Sequence, residues 1–176
     1  MAEVKGKFIT LACSILDTDK ELKEKALWEV KKYTGLKYTE LESEGWYDTK
    51  VFQAVFSVIE KKMDLALARA TIKRIGLQVY PTIKNTVGLP EHLKKPLDYI
   101  KYEAEGFLDN HRGKDIQPRK ILHAEDKNVV IIANSPGYSP VLIEGVFLGI
   151  LTMCGVHGRV SMKTEGGDCI YYISWV

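Results

Sequence analysis

The order of predicted elements in the second half of the chain constrains the fold more than any single motif. Helical spacing of apolar residues runs from about residue 90 to residue 110, where Pro96 either starts or kinks the helix. The elements predicted after it are two strands, an almost wholly apolar helix and a two-stranded hairpin: residues 119–123, 129–133, 140–154, 159–164 and 169–176. This order predicts a long helix followed by a ββαββ antiparallel sheet of four strands.

Details of these elements predict how the layers pack. Turn residues at 126–128 and 165–168 fit two tight hairpins. Apolar residues alternate onto both faces of the last strand, which predicts that both faces are covered. Gly145 and Gly149 share one face of the apolar helix and are expected to bring it close to the sheet.

The first half of the chain has the spacing of short amphipathic helices. The first is predicted over residues 5–16, and a capping pattern of Thr18 and Glu21 opens a second that Gly35 ends. Asp48 is expected to cap a third helix. Asp64 opens a fourth, predicted to end at Tyr80-Pro81 before a loop over residues 82–88. The predicted class is therefore α+β, a single domain over residues 1–176 with a helical subdomain (1–81) and an α+β subdomain (88–176).

Composition is that of an ordinary soluble globular protein, with 45% hydrophobic and 27% charged residues. The net charge of +2 gives no reason to expect nucleic acid as a partner. Three cysteines without a CxxC pair favour a reduced compartment, and no signal-peptide pattern opens the chain. The apolar run 141–156 includes Glu144 and is shorter than the roughly 20 residues of a membrane span. We therefore expect a cytoplasmic protein with no membrane span.

Over nearly the whole chain, this order resembles the heme-nitric oxide/oxygen binding (H-NOX) superfamily. The resemblance implies a heme whose iron is ligated by a histidine on the long helix. It also implies a Tyr-x-Ser-x-Arg motif, after the first hairpin, that holds the propionates. Counted back from Pro118, the histidine position falls on Ala104 or Glu105. The motif falls on residues 133–137, Ala-Asn-Ser-Pro-Gly, where Ser135 alone matches.

These replacements predict an H-NOX-like protein that does not bind heme in the family's way. An alanine methyl offers iron no ligand atom, and Pro136-Gly137 offers the propionates no cation. Two related groups fit equally: heme-less H-NOX-like proteins of the myxobacterial type, and the 4-vinyl-reductase-type domains that bind hydrocarbons. Gly167-Asp168-Cys169 before an aromatic strand resembles the C-terminus of the latter, without its paired cysteines. No cofactor and no metal are predicted.

Small residues in the middle of the long helix, Ala104 and Gly106, favour a remaining cavity between the helical part and the C-terminal sheet. The residues expected near it are five: Phe8, Ile72, Tyr102, Ala104 and Ser135. His111 lies two turns beyond Ala104 and has two interpretations. It is either a cation that caps a helix end or an alternative heme ligand.

Other polar residues have structural interpretations. Ser139 and Pro140 fit the start of a helix, although the preceding turn with Ser135 also fits a small ligand site. Cys13, Cys154 and Cys169 are expected to act as small hydrophobic residues. No zinc spacing, nucleophile motif or acid–base pair is visible, which predicts that the chain is not an enzyme.

The first functional hypothesis is a heme-independent sensor that holds a small apolar ligand and signals to a protein partner. The second is an interaction or scaffold domain with a collapsed pocket, acting through a partner or a homodimer. The third is a divergent heme or gas sensor that uses His111.

Overall fold

The computed structural model describes residues 1–16 and 19–176. The helices in this part of the chain are α1 to α6: Gly6–Ile15, Lys20–Thr34, Thr49–Lys62, Leu65–Thr86, Pro96–Asn110 and Pro140–Met153. The strands are β1 to β7: Glu3–Lys5, Trp46–Asp48, His111–Arg112, Lys120–Glu125, Asn128–Ile132, Gly158–Glu165 and Asp168–Trp175. The α+β class, with a long helix followed by ββαββ, is confirmed. The division into subdomains 1–81 and 88–176 stays a prediction.

The four C-terminal strands form one antiparallel sheet in the order β4-β5-β7-β6, as predicted. Gly166 and Gly167, with φ of 60° and 92°, make the left-handed turn between β6 and β7. The prediction that β7 is covered on both faces is wrong. Tyr171, Ile173 and Trp175 are buried, whereas Tyr172 on the other face is 42% exposed. Helix α6 covers one face of the sheet only.

A second, three-stranded sheet was not predicted. Strand β1 pairs with β2 on one side and with β3 on the other, so Val4 lies opposite both Tyr47 and His111. These strands have two or three residues each, too few for an alternating pattern to be detected. The sheet fixes the start of α1 next to the end of α5.

Most of the caps of the N-terminal helices are the ones predicted from the sequence. The predicted cap at Thr18 lies outside the described residues; Asp19 occupies the N-cap of α2, and its carboxylate accepts a hydrogen bond from the Leu22 N–H at 3.0 Å. Gly35 ends that helix with φ of 74°. Asp48 caps α3 as predicted. The stripe of α3 on the core is the predicted one: Phe52, Val55, Phe56 and Ile59.

Helix α4 begins at the predicted cap, Asp64, but runs to Thr86, past the predicted end at Pro81. Pro81 has no N–H for the Leu77 carbonyl, which normally weakens a helix interior. Tertiary packing outweighs this loss, because Tyr80 is buried and Ile83 packs on the core beyond the proline. The predicted loop over residues 82–88 is therefore mostly helix.

Helix α5 begins at Pro96, so the proline starts the helix rather than kinking it. Asp98 in its first turn accepts hydrogen bonds from the N–H groups of Lys94 and Lys95. Residues 90–95 are not helical, although Leu93 is still buried. The end of the helix leads directly into β3.

Helices α4 and α6 cross with their backbones in close contact. A methyl group on Gly145 would collide with the Lys73 carbonyl, and one on Gly149 with the Leu77 carbonyl. Gly76 faces α6 in the same way. The prediction that these α6 glycines face the sheet is therefore wrong, since they face α4. Glu144, the charge within this apolar helix, forms an ion pair with Lys73.

Candidate functional site

A cavity of about 290 Å³ lies between α4, α5, α6 and the first residues of the chain. The strands of the four-stranded sheet do not line it, so it is not between the helical part and that sheet. Most of its wall is apolar, and the residues of this wall come from several helices: Phe8, Leu11, Phe52, Ile75, Val79, Ile83, Val87, Phe107, Leu142, Ile143 and Val146. Such a wall favours an apolar occupant.

One face of α5 supplies the polar side of the cavity. Glu103 and Phe107 are one turn apart and buried, and Gly106 between them leaves room because nothing lies within 4 Å of where its side chain would be. Tyr102 lines the cavity on the same helix but is 37% exposed. It therefore marks the edge between the cavity and solvent.

Arg119, just after the loop that follows β3, forms a buried ion pair with Glu103. Its Nε atom lies 2.8 Å from Oε1 of Glu103, and the two side chains are 2% and 9% exposed. The guanidinium carbon lies 4.1 Å from the centre of the Phe107 ring, a cation–π contact. Burial raises the pKa of Glu103, and the charge of Arg119 partly offsets this.

His111 and Tyr138 form a second buried polar pair. The His111 Nδ1 is 3.2 Å from the Phe107 carbonyl, which can only accept, so Nδ1 carries the proton. The Tyr138 hydroxyl then donates to Nε2 at 2.6 Å. Burial and the nearby Arg119 charge lower the pKa of His111 to about 3. His111 therefore caps the end of α5 as predicted, through the Phe107 carbonyl, but as a neutral ring and not as the predicted cation.

The three-stranded sheet brings the start of the chain to this site. Its pairing of Val4 with His111 places the Phe8 ring 5.9 Å from the imidazole. Lys5 and Lys7 also line the cavity, and both bind Glu44, at 2.5 and 2.9 Å. One surface carboxylate thus pairs with both ammonium groups, so this group keeps a net positive charge.

The structure brings together some of the residues expected at the pocket. Phe8 and Tyr102 line the cavity, and so does His111, the candidate alternative heme ligand. Ile72, Ala104 and Ser135 do not: Ile72 is sealed in the core one turn before Ile75, and Ala104 is turned away from the cavity and packs half-buried on the core. Ser135 lies in the loop after β5, where its hydroxyl is buried without a hydrogen-bond partner.

Sequence reasoning missed the residues that give the cavity its polar character. Glu103 lies three residues after Ile100 and four before Phe107, within the apolar stripe of α5. An acidic residue at a core position requires a buried cation, and this signal was present in the sequence. Arg119 and Tyr138 carry no such signal, because only the tertiary fold brings their loops to α5.

Other features of the described chain are structural. Cys13 is fully buried, which raises its pKa to about 12, while Cys154 and Cys169 are half-buried, and all three are free thiols. Within residues 1–16 and 19–176, no group of three His, Cys, Asp or Glu side chains could hold a metal ion. No helix in that part of the chain has both the length and the hydrophobicity of a membrane span. Ser139 occupies the N-cap of α6 without a side-chain bond, ahead of Pro140.

Solved structures with a similar fold identify this architecture. No protein-family model matches the chain, and none of the curated proteins matches it. The Fe(II) unliganded H-NOX protein from K. algicida is 11% identical, with a TM-score of 0.72 over 98% of this chain and 96% of that one. The H-NOX protein from S. oneidensis in the Fe(II)NO state is 11% identical, with a TM-score of 0.71 over 98% and 99%. A mutant of the T. Tengcongensis H-NOX protein is 12% identical, with a TM-score of 0.69 over 97% of both chains. The chain therefore has an H-NOX-like fold.

Proposed function

We propose that this chain is a heme-independent sensor or binding module, which holds a small, largely apolar ligand and passes its occupancy to a protein partner. The observation that carries the proposal is the cavity of about 290 Å³, at the lower end of the range for small-molecule sites. Its mainly apolar wall suits a small apolar molecule. A cavity of this size also speaks against a collapsed pocket.

The buried part of the cavity wall offers heme iron no free ligand of the kinds that proteins use, which are His, Cys, Met and Tyr. Both ring nitrogens of His111 are engaged, one with the Phe107 carbonyl and the other with the Tyr138 hydroxyl. Burial raises the pKa of Tyr138 and of Tyr80, which disfavours the phenolate that ligation requires. Tyr102 lies at the solvent edge.

Each cation of the wall is already in an ion pair, which disfavours the binding of two propionates. Arg119 is paired with Glu103, and Lys5 and Lys7 are paired with Glu44. A porphyrin would have to compete with these ion pairs and enter a space smaller than a drug-sized molecule normally occupies. The residues present therefore do not fit heme, although the structurally similar K. algicida and S. oneidensis proteins are iron-containing.

Thermal unfolding in the presence of toluene, a small apolar probe, tests the binding. At ten times its dissociation constant, a ligand stabilises the folded state by about 1.4 kcal/mol, which for a domain of this size raises Tm by roughly 3–5 °C. We expect such a saturable rise for the wild type. Unchanged Tm up to the solubility limit of toluene would contradict the proposal.

A variant that fills the cavity provides the control. Gly106 lines the cavity and has open space around its missing side chain, so Gly106→Leu should fold and occupy part of the volume. It should lose most of the toluene response. Glu105→Leu, on the exposed neighbouring position, adds the same side chain outside the cavity and should respond like the wild type.

A protein-interaction domain is the second candidate, favoured by an apolar surface on α2 and the turn after it. Trp28, Tyr33 and Leu36 are 61%, 50% and 38% exposed. Exposed aromatic residues are frequent in protein interfaces. Self-association would appear in sedimentation velocity as a sedimentation coefficient that rises with concentration and that Trp28→Ala reduces. A strict monomer at all concentrations would count against this homodimer.

A further inference from the structure

The buried ion pair of the cavity has unused hydrogen-bonding capacity. Nε and Nη1 of Arg119 and Oε2 of Glu103 are buried and have no hydrogen-bond partner, although Nε lies close to Oε1. Both residues line the cavity. Leaving buried charged groups without hydrogen bonds is costly, so a molecule that satisfies them gains correspondingly. We call Arg119 and Glu103 the polar corner of the cavity.

Neighbouring polar groups do not satisfy this polar corner. The His111 ring uses both nitrogens, for the Phe107 carbonyl and for the Tyr138 hydroxyl. Lys5 and Lys7 are occupied by Glu44. The donors of Arg119 and the acceptor of Glu103 are thus available together, to one partner that both accepts and donates.

The charge of the polar corner limits the chemistry of that partner. Arg119 and Glu103 together are neutral when both are ionised. A carboxylate would place a second negative charge beside Glu103, and an ammonium would place a second positive charge beside Arg119, each in a site of low dielectric. A hydroxyl or an amide adds no charge and can both accept and donate.

We propose that the cavity takes a small neutral amphiphile, whose hydroxyl or amide head group accepts a hydrogen bond from Arg119 and donates one to Glu103. Its apolar part would lie along Ile75, Val79 and Val146. This inference rests on the proposed function, because it names the ligand class of the same cavity.

Affinities of a matched aromatic series test it: toluene, benzyl alcohol, benzoate and benzylammonium, measured by calorimetry at pH 7. The same titrations use Glu103→Leu/Arg119→Met, which replaces both partners by apolar residues of similar size and so leaves no lone buried charge. We expect benzyl alcohol to bind more tightly than either charged probe. We also expect the affinity of benzyl alcohol relative to toluene to fall at least tenfold in the double variant.

The outcomes that would contradict the inference differ from the outcome that would contradict the proposed function. An unchanged ratio of benzyl alcohol to toluene in the double variant would overturn the inference and leave the proposed function standing. Tightest binding by benzoate or benzylammonium would also overturn it, in favour of a charged ligand. No binding of any probe, toluene included, would contradict the proposed function itself, and the inference with it.

Discussion

At the scale of single residues, His111 shows how burial selects a protonation state. The imidazole is 7% exposed, stacks on Phe107 with ring centres 4.2 Å apart, and lies near the Arg119 charge. Each of its nitrogens has one partner that matches the neutral ring. A second proton would break the bond from Tyr138 and place two cations close together, so the fold excludes it.

This protonation state predicts how stability depends on pH. The pKa of His111 is lowered to about 3 in the folded protein, against its usual 6.5 in an unfolded chain. The stabilisation that follows from the neutral ring is therefore fully present above pH 6.5. As the pH falls from 6.5 towards 3, the free energy of unfolding decreases by about 1.4 kcal/mol per pH unit. We expect His111→Gln to be less stable than the wild type at pH 7 by urea unfolding, and the difference to shrink at pH 4.5.

The wild type and His111→Gln have all other titrating groups in common, so the effects of those groups cancel in the difference between their stabilities. His92→Gln, which changes an exposed histidine, is the control for the loss of a surface imidazole and should be about as stable as the wild type at pH 7. If the gap between wild type and His111→Gln were equal at pH 7 and pH 4.5, His111 would not be held neutral by the fold.

The polar corner predicts a specific pattern of coupling between Arg119 and Glu103. Removing one partner of a buried ion pair leaves an uncompensated charge and typically costs about 3–5 kcal/mol, whereas replacing both is much less costly. Chemical unfolding should therefore rank Glu103→Leu/Arg119→Met above either single variant in stability. Additive losses in the double variant would mean that the two charges do not depend on each other.

The sequence contains only part of this site, and particular residues show why. Phe8, Tyr102 and His111 follow from helical spacing and from the H-NOX resemblance. Counting along the chain put Ala104 at the cavity, but helical geometry turns Glu103 to it instead. Arg119 could not be predicted as its partner, because they are 16 residues apart in different elements and meet only through tertiary packing.

At the scale of elements, the crossing of α4 and α6 holds the wall of the cavity in place. Both helices line it, through Val79 on α4 and Val146 on α6 among others. Their backbones approach closely because Gly76 and Gly145 lie against each other's helix. Added side-chain volume at this crossing would push the helices apart.

Gly145→Ala should accordingly destabilise the protein by about 1–3 kcal/mol, the usual cost of overpacking, even though alanine favours helices. Gly106→Ala provides the matched control in α5, since its added methyl group meets nothing within 4 Å. That variant should be neutral or more stable by up to about 1 kcal/mol. Chemical unfolding compares them, and equal effects would show that the close approach does not matter.

The elements differ in how far the sequence predicts them. Caps such as Asp48 and Asp64 and the Gly166-Gly167 turn carry local signals, and these predictions are confirmed. The predicted helix end at Pro81 is wrong, because tertiary packing on both sides of the proline outweighs its low helix propensity. The three-stranded sheet has no local signal, since its pairings join residues 3–5 to residues 46–48 and 111–112.

At the scale of the whole molecule, the chain combines an H-NOX-like fold with a cavity that contains the buried ion pair of Arg119 and Glu103. The order of helices and strands predicted the H-NOX-like fold, which the solved structures match over nearly the full chain at 11–13% identity. Architecture survives such divergence because it depends on apolar periodicity more than on particular residues. The proposed choice of ligand depends instead on a few side chains of the cavity, Arg119 and Glu103 among them.

A hemin titration of the purified protein, reduced and oxidised and followed by Soret absorption, tests the heme-independent account most directly. Because the nitrogens of His111 are engaged and Arg119 is paired with Glu103, we predict no band beyond that of free hemin. Stoichiometric binding with a sharp, ligated Soret band would contradict the account. Loss of such a band in His111→Gln would then identify His111 as the ligand of a divergent heme sensor.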